Sequence, residues 1–153
     1  MNSQKIRRLF RAVSLAPPIT DLYDRFLTNQ TLGERGEREA ERFLLKLGMI
    51  IVARGYQDKF GEIDLIAVDD ETVVFVEVKT RKSDVAGEPE EAVDATKQTR
   101  LTKTAIGYLK FHKLTECPVR FDVIAITWPT QVKRPLIKHY QNAFERVGEF
   151  QMF

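Results

Sequence analysis

The sequence GEIDLIAVDDETVVFVEVKTR, residues 61–81, contains two apolar runs that set the architecture of the chain. Both runs, Gly61 to Val68 and Thr72 to Thr80, are rich in β-branched residues, and three acidic residues separate them. Such runs joined by a short polar segment predict an antiparallel hairpin. The second run is apolar on both faces, which is typical of a strand that is buried on both faces of a sheet.

The residues outside this hairpin predict two helices and further strands. Apolar residues recur at helical spacing from Leu32, and Gly48 stands where the C-terminal glycine of a helix belongs. Pro89 and the two glutamates after it predict the start of a second helix, because proline suits the first turn and acidic groups favour its positive end. In chain order we predict a helix from Leu32, strands over Met49–Ala53, Gly61–Val68 and Thr72–Thr80, a loop over Lys82–Glu88, a helix from Pro89 to about His112, a strand over Val119–Trp128 and one further candidate strand over Leu136–Tyr140. This order predicts an α/β fold, with a mixed central sheet flanked by helices.

The composition indicates one cytoplasmic domain. The chain has 153 residues, 43% hydrophobic and 30% charged, which is ordinary for a globular protein with a real core. No run approaches the roughly 20 apolar residues that cross a bilayer, and the basic N-terminus lacks the apolar stretch of a signal peptide. Cys117 is the single cysteine, which excludes an intramolecular disulfide and fits a reducing compartment. We therefore expect a cytoplasmic protein without a membrane partner.

The positive charge of the chain is confined to its N-terminal segment. The net charge is +2, but residues 1–31 carry +3 and residues 32–153 carry −1. We therefore divide the chain into a basic N-terminal extension, 1–31, and one folded domain, 32–153. Because this domain is not globally basic, any binding of nucleic acid would depend on a local patch or on metal ions.

Charged residues inside the apolar strands mark the candidate site. Glu77 and Lys79 interrupt an apolar strand and, being two residues apart, share one face. Glu62 and Asp64 repeat this spacing on the preceding strand. Glutamate and lysine are rarely buried unless they are paired or ligated, so this pattern predicts a cluster with a chemical role. Arg81 follows the same strand, where the backbone of a substrate could pass.

The hairpin register brings two of these acids together. If residues 70 and 71 form the turn, Asp64 lies opposite Glu77, and Glu62 lies opposite Lys79. Directly opposed carboxylates repel each other unless a positive charge lies between them. A divalent cation supplies this charge, since Mg²⁺ favours one or two carboxylates with water and phosphate oxygens. Lys79 would then serve the phosphate or polarise the attacking water, and Glu62 is either the partner of Lys79 or an auxiliary ligand.

Two helical residues are predicted to face the same cavity. Glu37 lies seven residues before Leu44, roughly 20° away around an ideal helix, so it flanks the buried stripe. Lys97 shares the stripe of Val93 and Leu101 and points toward the sheet, either to extend its ammonium group into solvent or to contact a phosphate.

These residues together resemble a known nuclease pattern. Asp64 followed by Glu77-x-Lys79, after a helix that bears Glu37, resembles the PD-(D/E)xK superfamily, although Ile63 replaces the proline of that signature. More closely, the chain resembles the YraN-like family of uncharacterised bacterial proteins over about residues 33–145. The matching segments are Gly36-Glu37 with Ala40, GEIDLI at 61–66, FVEVKTR at 75–81, RFDV at 120–123 and Ala143-Phe144.

The resemblance implies a restriction-endonuclease-like core related to archaeal Holliday-junction resolvases, and it also implies a homodimer. By this analogy Glu37, Asp64, Glu77 and Lys79 would carry catalysis, and a polar residue such as Lys97 would assist at the phosphate. Our hypothesis is a Mg²⁺- or Mn²⁺-dependent endonuclease for DNA, branched or structured DNA included. Its metal ligands are Asp64, Glu77 and Glu37.

Alternatives remain at the level of function and of single residues. The chain could instead be a non-catalytic nucleic-acid-binding module that keeps the nuclease fold, or an interaction scaffold. Glu77 and Lys79 could be a plain ion pair near the end of a strand, and Glu37 a charge at the edge of an amphipathic helix. We interpret Asp122, beside Arg120, as part of a structural ion pair.

Overall fold

The structure is a computed structural model that describes Arg7 and residues 30–82, 93–129 and 133–147. The five strands of this described part form one sheet in the order of the sequence. The elements are helix α1 (Leu32–Lys46), strands β1 (Ile50–Gln57), β2 (Glu62–Asp69) and β3 (Thr72–Arg81), helix α2 (Ala95–Phe111), and strands β4 (Val119–Thr127) and β5 (Leu136–Phe144). The predicted α/β order of helix, three strands, helix and two further strands is confirmed.

The sheet is mixed because one connection crosses over. Strands β1, β2 and β3 form an antiparallel meander, and β5 pairs antiparallel with β4. Strand β4 runs parallel to β3, and parallel neighbours need a long crossover, which includes α2. Strands β3 and β4 therefore end on the same side of the sheet, where charged side chains from both strands can lie close together.

Strand β3 is buried on both faces, as its sequence predicts. On one face Val73 and Phe75 pack in the same cluster as Leu101 of α2. On the other face Val74 packs with Leu44 of α1. Within residues 30–147 as far as they are described, the sheet thus has α1 on one side and α2 on the other, and a charged side chain of β3 lies within or beside one of these two layers.

Helix α1 has defined signals at both ends. Thr31 accepts a hydrogen bond from the backbone N–H of Glu34, and the Glu34 side chain accepts one from the N–H of Thr31, which forms a capping box. At the other end Gly48 has a φ of +86°, a conformation that favours glycine. The backbone N–H groups of residues 48 and 49 return to carbonyls of the last turn. The predicted C-terminal glycine is confirmed, and the sharp exit leads directly into β1.

Helix α2 begins later than predicted. The predicted start at Pro89 lies outside the described residues, but the predicted continuation through Val93 is wrong. Asp94 has an extended backbone and is the N-cap, because its side chain accepts a hydrogen bond from the Lys97 backbone N–H at 2.8 Å. Val93 is nevertheless buried in the core, just ahead of the helix.

The outer strands extend further than their apolar patterns. Strand β1 continues to Gln57 and β5 to Phe144, since backbone hydrogen bonds to a neighbouring strand do not require apolar side chains. Apart from Arg7 and residues 30 and 31, the predicted extension 1–31 lies outside the described residues, and the domain boundary stays a prediction. No helix in the described part of the chain is long and apolar enough to cross a membrane.

Candidate active site

The candidate site lies where β2 and β3 stop pairing. The register runs from Asp69–Thr72 to Leu65–Val76, which confirms the turn predicted at residues 70 and 71. Beyond that point β2 remains paired with β1 to Glu62, and β3 remains paired with β4 to Arg81. Past Leu65 and Val76, β2 is therefore backbone-paired with β1 and β3 with β4, but β2 and β3 are not backbone-paired with each other.

The predicted cross-strand pairs lie just past the end of this ladder. Asp64 and Glu77 are the next positions after Leu65 and Val76, but they are not backbone-paired. Instead Oδ2 of Asp64 accepts a hydrogen bond from the backbone N–H of Val78 at 2.7 Å. The Asp64 carboxylate thus bridges the two strands through its side chain. The ladder ends before Glu62 and Lys79 as well, so neither predicted cross-strand pair is backbone-paired.

Glu77 is the most buried charged group of the site, with 4% of its surface exposed. Its Oε1 lies 3.1 Å from Nζ of Lys79 and 3.2 Å from Nζ of Lys97. Its Oε2 is shielded from solvent and has no hydrogen-bond partner in the described part of the chain. Both lysines are partly exposed, so this carboxylate links the interior to an accessible positive surface. The predicted orientation of Lys97 toward the sheet is confirmed.

Asp64 experiences the repulsion that the sequence predicts. Burial, followed by the nearby charge of Glu77, raises the pKa of Asp64 to about 7. The hydrogen bond from the Val78 N–H and the charge of Lys97 act in the opposite direction but do not cancel this increase. Without a further positive charge, burial and the nearby Glu77 therefore disfavour the ionised form of Asp64.

Glu37 approaches the same opening from α1. A Cβ atom on Gly36 would lie 1.9 Å from Oγ1 of Thr80, so α1 contacts β3 more closely than any larger residue would permit. Burial raises the pKa of Glu37, and the charges of Glu62, Glu34 and Glu77 raise it further. Glu37 therefore lies close enough to Glu62 and Glu77 for their charges to affect its pKa, as its position beside the buried stripe of α1 predicts.

The carboxylates of Asp64 and Glu77 suit a divalent cation that takes only one or two ligands from the protein. Asp64 and Glu77 are adjacent, mutually repulsive and partly buried, and Oε2 of Glu77 has an unused acceptor. Among residues 30–82, 93–129 and 133–147, no three or more carboxylate, imidazole or thiol groups lie close enough to hold a metal ion. Mg²⁺ needs only one or two carboxylates, since water and phosphate oxygens complete its shell. The role of Glu37 as a third ligand stays a prediction.

The weaker candidates are placed around this centre. Glu62 is exposed at the start of β2, close enough to Glu37 for its charge to raise that pKa. Arg81 ends β3, and its carbonyl accepts a hydrogen bond from the Trp128 N–H at 2.8 Å. Both residues lie at the open edge of the sheet, and their contacts with a substrate stay predictions.

A second buried carboxylate, Asp122 of β4, is structural. Its Oδ1 accepts hydrogen bonds from Nε of Arg120 at 3.0 Å and from the Asn142 N–H at 2.9 Å. Its Oδ2 lies 2.8 Å from Nε2 of His139. Arg120 also bonds Asp69 at 2.8 Å, which connects β4 to β2. The interpretation of Asp122 as part of an ion pair is confirmed; the contribution of His139, distant in sequence, was not predicted.

The fold and this edge cluster define a mixed α/β protein with paired carboxylates and lysines at the end of its central strands. The chain belongs to the uncharacterised protein family UPF0102, whose family model matches residues 36–126. It is 44% identical over 123 residues to the UPF0102 protein RB9115 of Rhodopirellula baltica, covering 78% of this chain and 74% of that protein. It is 46% identical over 117 residues to a UPF0102 protein of Geotalea daltonii, covering 76% of this chain and 91% of that protein.

The family model begins at Gly36 and extends past Lys97 into β4. It therefore spans every element that contributes a predicted catalytic side chain. The predicted resemblance to a family of uncharacterised bacterial proteins is confirmed as membership of UPF0102, a description that names no activity.

Proposed function

We propose that this protein is a metal-dependent endonuclease of the PD-(D/E)xK type that hydrolyses phosphodiester bonds in DNA, with branched or structured DNA among its substrates. The observation that carries this proposal is the buried Glu77, beside Asp64: among the described residues nothing pairs with its Oε2, while two lysine ammonium groups lie at its Oε1. A site that only needed internal neutrality would not also hold a second carboxylate with a raised pKa.

Each side chain has a role that its surroundings support. Asp64 and Glu77 would hold Mg²⁺ or Mn²⁺, with Glu37 as a further ligand or as the group that orients water. The bound ion would neutralise developing phosphate charge and lower the pKa of water. Lys79 and Lys97 have partly exposed ammonium groups fixed by Glu77, so they can donate hydrogen bonds to phosphate oxygens without reorganising.

The raised pKa of Asp64 links its ionisation to cation binding. At neutral pH a substantial fraction of Asp64 is protonated, because its pKa is about 7. A carboxylate ligand must be ionised to bind a metal, so cation binding and proton release from Asp64 are coupled. We expect apparent metal affinity to rise with pH through this range.

A non-catalytic nucleic-acid-binding module is the second candidate. One observation favours it: Lys79 and Lys97 already neutralise Glu77 without a metal, and their ammonium groups could bind phosphates directly. Binding would then depend on salt and not on Mg²⁺, and Glu77→Ala would leave it intact.

The test is a titration of the purified protein with Mg²⁺ and Mn²⁺ against labelled linear, nicked and four-way DNA, with RNA of matched sequence in parallel. Glu77→Ala and Lys79→Ala probe the site. Glu116→Ala and Lys110→Ala are matched controls, because both are exposed and remove the same charges elsewhere.

We expect cutting that requires metal, is lost in both site variants and persists in both controls. Cutting that survives in Glu77→Ala and Lys79→Ala would refute the proposed active site. DNA binding without cutting at any metal concentration would favour the second candidate.

A further inference from the structure

A basic pocket with a volume of about 220 Å³ lies against the outer side of α1. We define the basic pocket by Arg35, Arg38 and Arg42 of α1, Trp128 at the end of β4, and Lys133 in the following loop. The three arginines are spaced at three and four residues, which places them along one side of the helix. This local charge contrasts with the near-neutral balance of residues 32–153.

The pocket has more positive charge than its own acid can neutralise. Glu39 also lines it and forms an exposed ion pair with Arg42 at 2.9 Å. Arg35 and Lys133 line the pocket as two further positive charges. Because an arginine fork matches the geometry of phosphate oxygens, the guanidinium of Arg35, together with the ammonium group of Lys133, is suited to bind phosphate groups.

The indole ring of Trp128 forms one wall of the pocket and has no hydrogen-bond acceptor. The guanidinium of Arg35 lies 4.8 Å from the centre of the indole ring, which holds this charge in place at the mouth. The indole Nε1 is shielded and has no hydrogen-bond partner in the described part of the chain. A ligand in the pocket cannot reach this N–H, so the wall contributes the positive charge of Arg35 and an apolar ring face, and no negative group to repel an anion.

The pocket lies at the same edge of the sheet as the candidate active site. The backbone N–H of Trp128 donates a hydrogen bond to the backbone carbonyl of Arg81. Arg81 lies four residues beyond Glu77 on β3. Four strand residues span about 13 Å. On the helical side, Arg38 directly follows Glu37. One polynucleotide strand can therefore reach both places, since its phosphates repeat about every 3.4 Å along a duplex axis.

We propose that the basic pocket binds backbone phosphates of a nucleic-acid strand a few nucleotides from the bond at Glu77. The identity of the strand rests on the proposed function, whereas the binding of phosphate groups rests on the pocket itself. The pocket supplies the local patch that a domain of nearly neutral charge needs to hold a polyanion. It positions the strand and takes no part in bond cleavage.

Trp128 provides a direct measurement, because it is the only tryptophan of the chain. The full-length protein is titrated in a chelator, so that no metal is bound, with a single-stranded oligonucleotide, inorganic phosphate or a polyglutamate peptide. Tryptophan fluorescence reports occupancy of the pocket, and anisotropy of the labelled oligonucleotide reports total binding. Both are repeated over a salt series for Arg35→Gln and Lys133→Gln.

Arg134→Gln is the matched control for Lys133→Gln. Both residues are exposed neighbours and lose one positive charge, but Arg134 does not line the pocket. We expect the oligonucleotide to change Trp128 fluorescence in the wild-type protein. Lys133→Gln should lower the slope of log affinity against log salt by roughly 0.7, the contribution of one single-strand phosphate contact. Arg134→Gln should leave this slope unchanged, and circular dichroism confirms that each variant folds.

Three results would overturn the proposal. One is oligonucleotide binding that neither changes Trp128 fluorescence nor weakens in the pocket variants. Another is a response to inorganic phosphate without one to the oligonucleotide, which would identify a free-phosphate site. The third is equal binding of polyglutamate, which would indicate an acidic protein partner.

The two proposals fail separately. Absence of DNA cutting, with pocket binding intact in Glu77→Ala, would refute the nuclease and leave the pocket. Metal-dependent cutting whose KM is the same in wild type and Lys133→Gln, with no fluorescence response, would refute the pocket and leave the nuclease.

Discussion

Glu77 and Asp122 are both buried carboxylates of adjacent parallel strands, but their surroundings are opposite. Asp122 has hydrogen bonds on both oxygens, from the side chains of Arg120 and His139 and the backbone of Asn142. Burial alone would raise the pKa of Asp122, but these hydrogen bonds outweigh it, and its pKa lies below the ordinary value. Glu77 has both lysines on one oxygen, and no described residue is a hydrogen-bond partner of the other.

The difference between Asp122 and Glu77 distinguishes a structural hydrogen-bond network from a site that can bind a ligand. A buried charge whose acceptors are all used adds rigidity and has no capacity to bind anything else. The cluster of Glu77, Asp64, Lys79 and Lys97, called the Glu77 cluster below, keeps one acceptor unused and keeps Asp64 next to a like charge. This arrangement costs stability in the absence of a ligand. Such a cost is typical of residues retained for binding or catalysis.

The largest effect on stability is expected at Asp122. Asp122→Asn removes the negative charge that neutralises Arg120 and the carboxylate oxygen that lies against His139, while Arg120 keeps its bond to Asp69. Loss of one partner of a buried ion pair costs about 3 kcal/mol of unfolding free energy, the lower end of the usual range. Urea unfolding followed by circular dichroism measures this loss. A change below about 1 kcal/mol would remove the distinction between the two carboxylates.

The pH dependence of stability should also differ between the two clusters. The pKa of Asp64 rises from an ordinary value of 3.8 to about 7 on folding, so the folded state holds a proton that the unfolded state releases. Stability should therefore fall as pH rises from about 4 to 7. Asp122, with a lowered pKa, contributes stability that is lost only as pH falls below its ordinary range.

Unfolding measurements in metal-free buffer across this pH range test the difference. Asp64→Asn should remove the part of the decrease between pH 4 and 7 that Asp64 contributes, because its amide does not titrate, and should leave the part due to the raised pKa of Glu37. An identical pH profile in the wild-type protein and Asp64→Asn would contradict the raised pKa of Asp64.

Mg²⁺ should stabilise the protein through the Glu77 cluster alone. At ten times its dissociation constant, a ligand that binds only the folded state adds about 1.4 kcal/mol. Thermal unfolding with and without Mg²⁺ should show this gain in the wild-type protein and in Asp122→Asn, but not in Asp64→Asn or Glu77→Gln. A gain that persists in both site variants would place the cation elsewhere.

The smallest effect on stability is expected for Glu77→Gln. The change removes the repulsion on Asp64 and leaves two lysines that water can still reach, so the unfolding free energy should change by less than about 1 kcal/mol. The same variant should lose metal-dependent cutting. A loss of stability as large as that of Asp122→Asn would show that the Glu77 cluster is structural.

Much of this arrangement could be predicted from residues 61–81. The strand runs and the turn at 70 and 71 were correct because side-chain alternation and turn chemistry are local properties. The same alternation placed Glu77 and Lys79 on one face, and helical spacing placed Glu37 and Lys97 toward them. The predicted continuation of the second helix through Val93 was wrong because Asp94, with an extended backbone, is the N-cap of α2.

Contacts between distant segments could not be predicted in this way. The meeting of Asp122 with His139 depends on an irregularity in the β4–β5 register, and that of Trp128 with Arg35 depends on how α1 packs on the sheet. Sequence periodicity fixes the face on which a side chain lies but not the neighbour it meets across two elements.

The amino-acid pattern of this chain accounts for its α/β class, its hairpin register and the residue types of its acidic cluster, since each follows from spacing along one segment. The three-dimensional packing accounts for the end of β2–β3 backbone pairing past Leu65 and Val76, for the oxygen of Glu77 that no described residue pairs with, and for the basic pocket. These features depend on which neighbours hold each strand and helix, and that is a property of the assembled sheet.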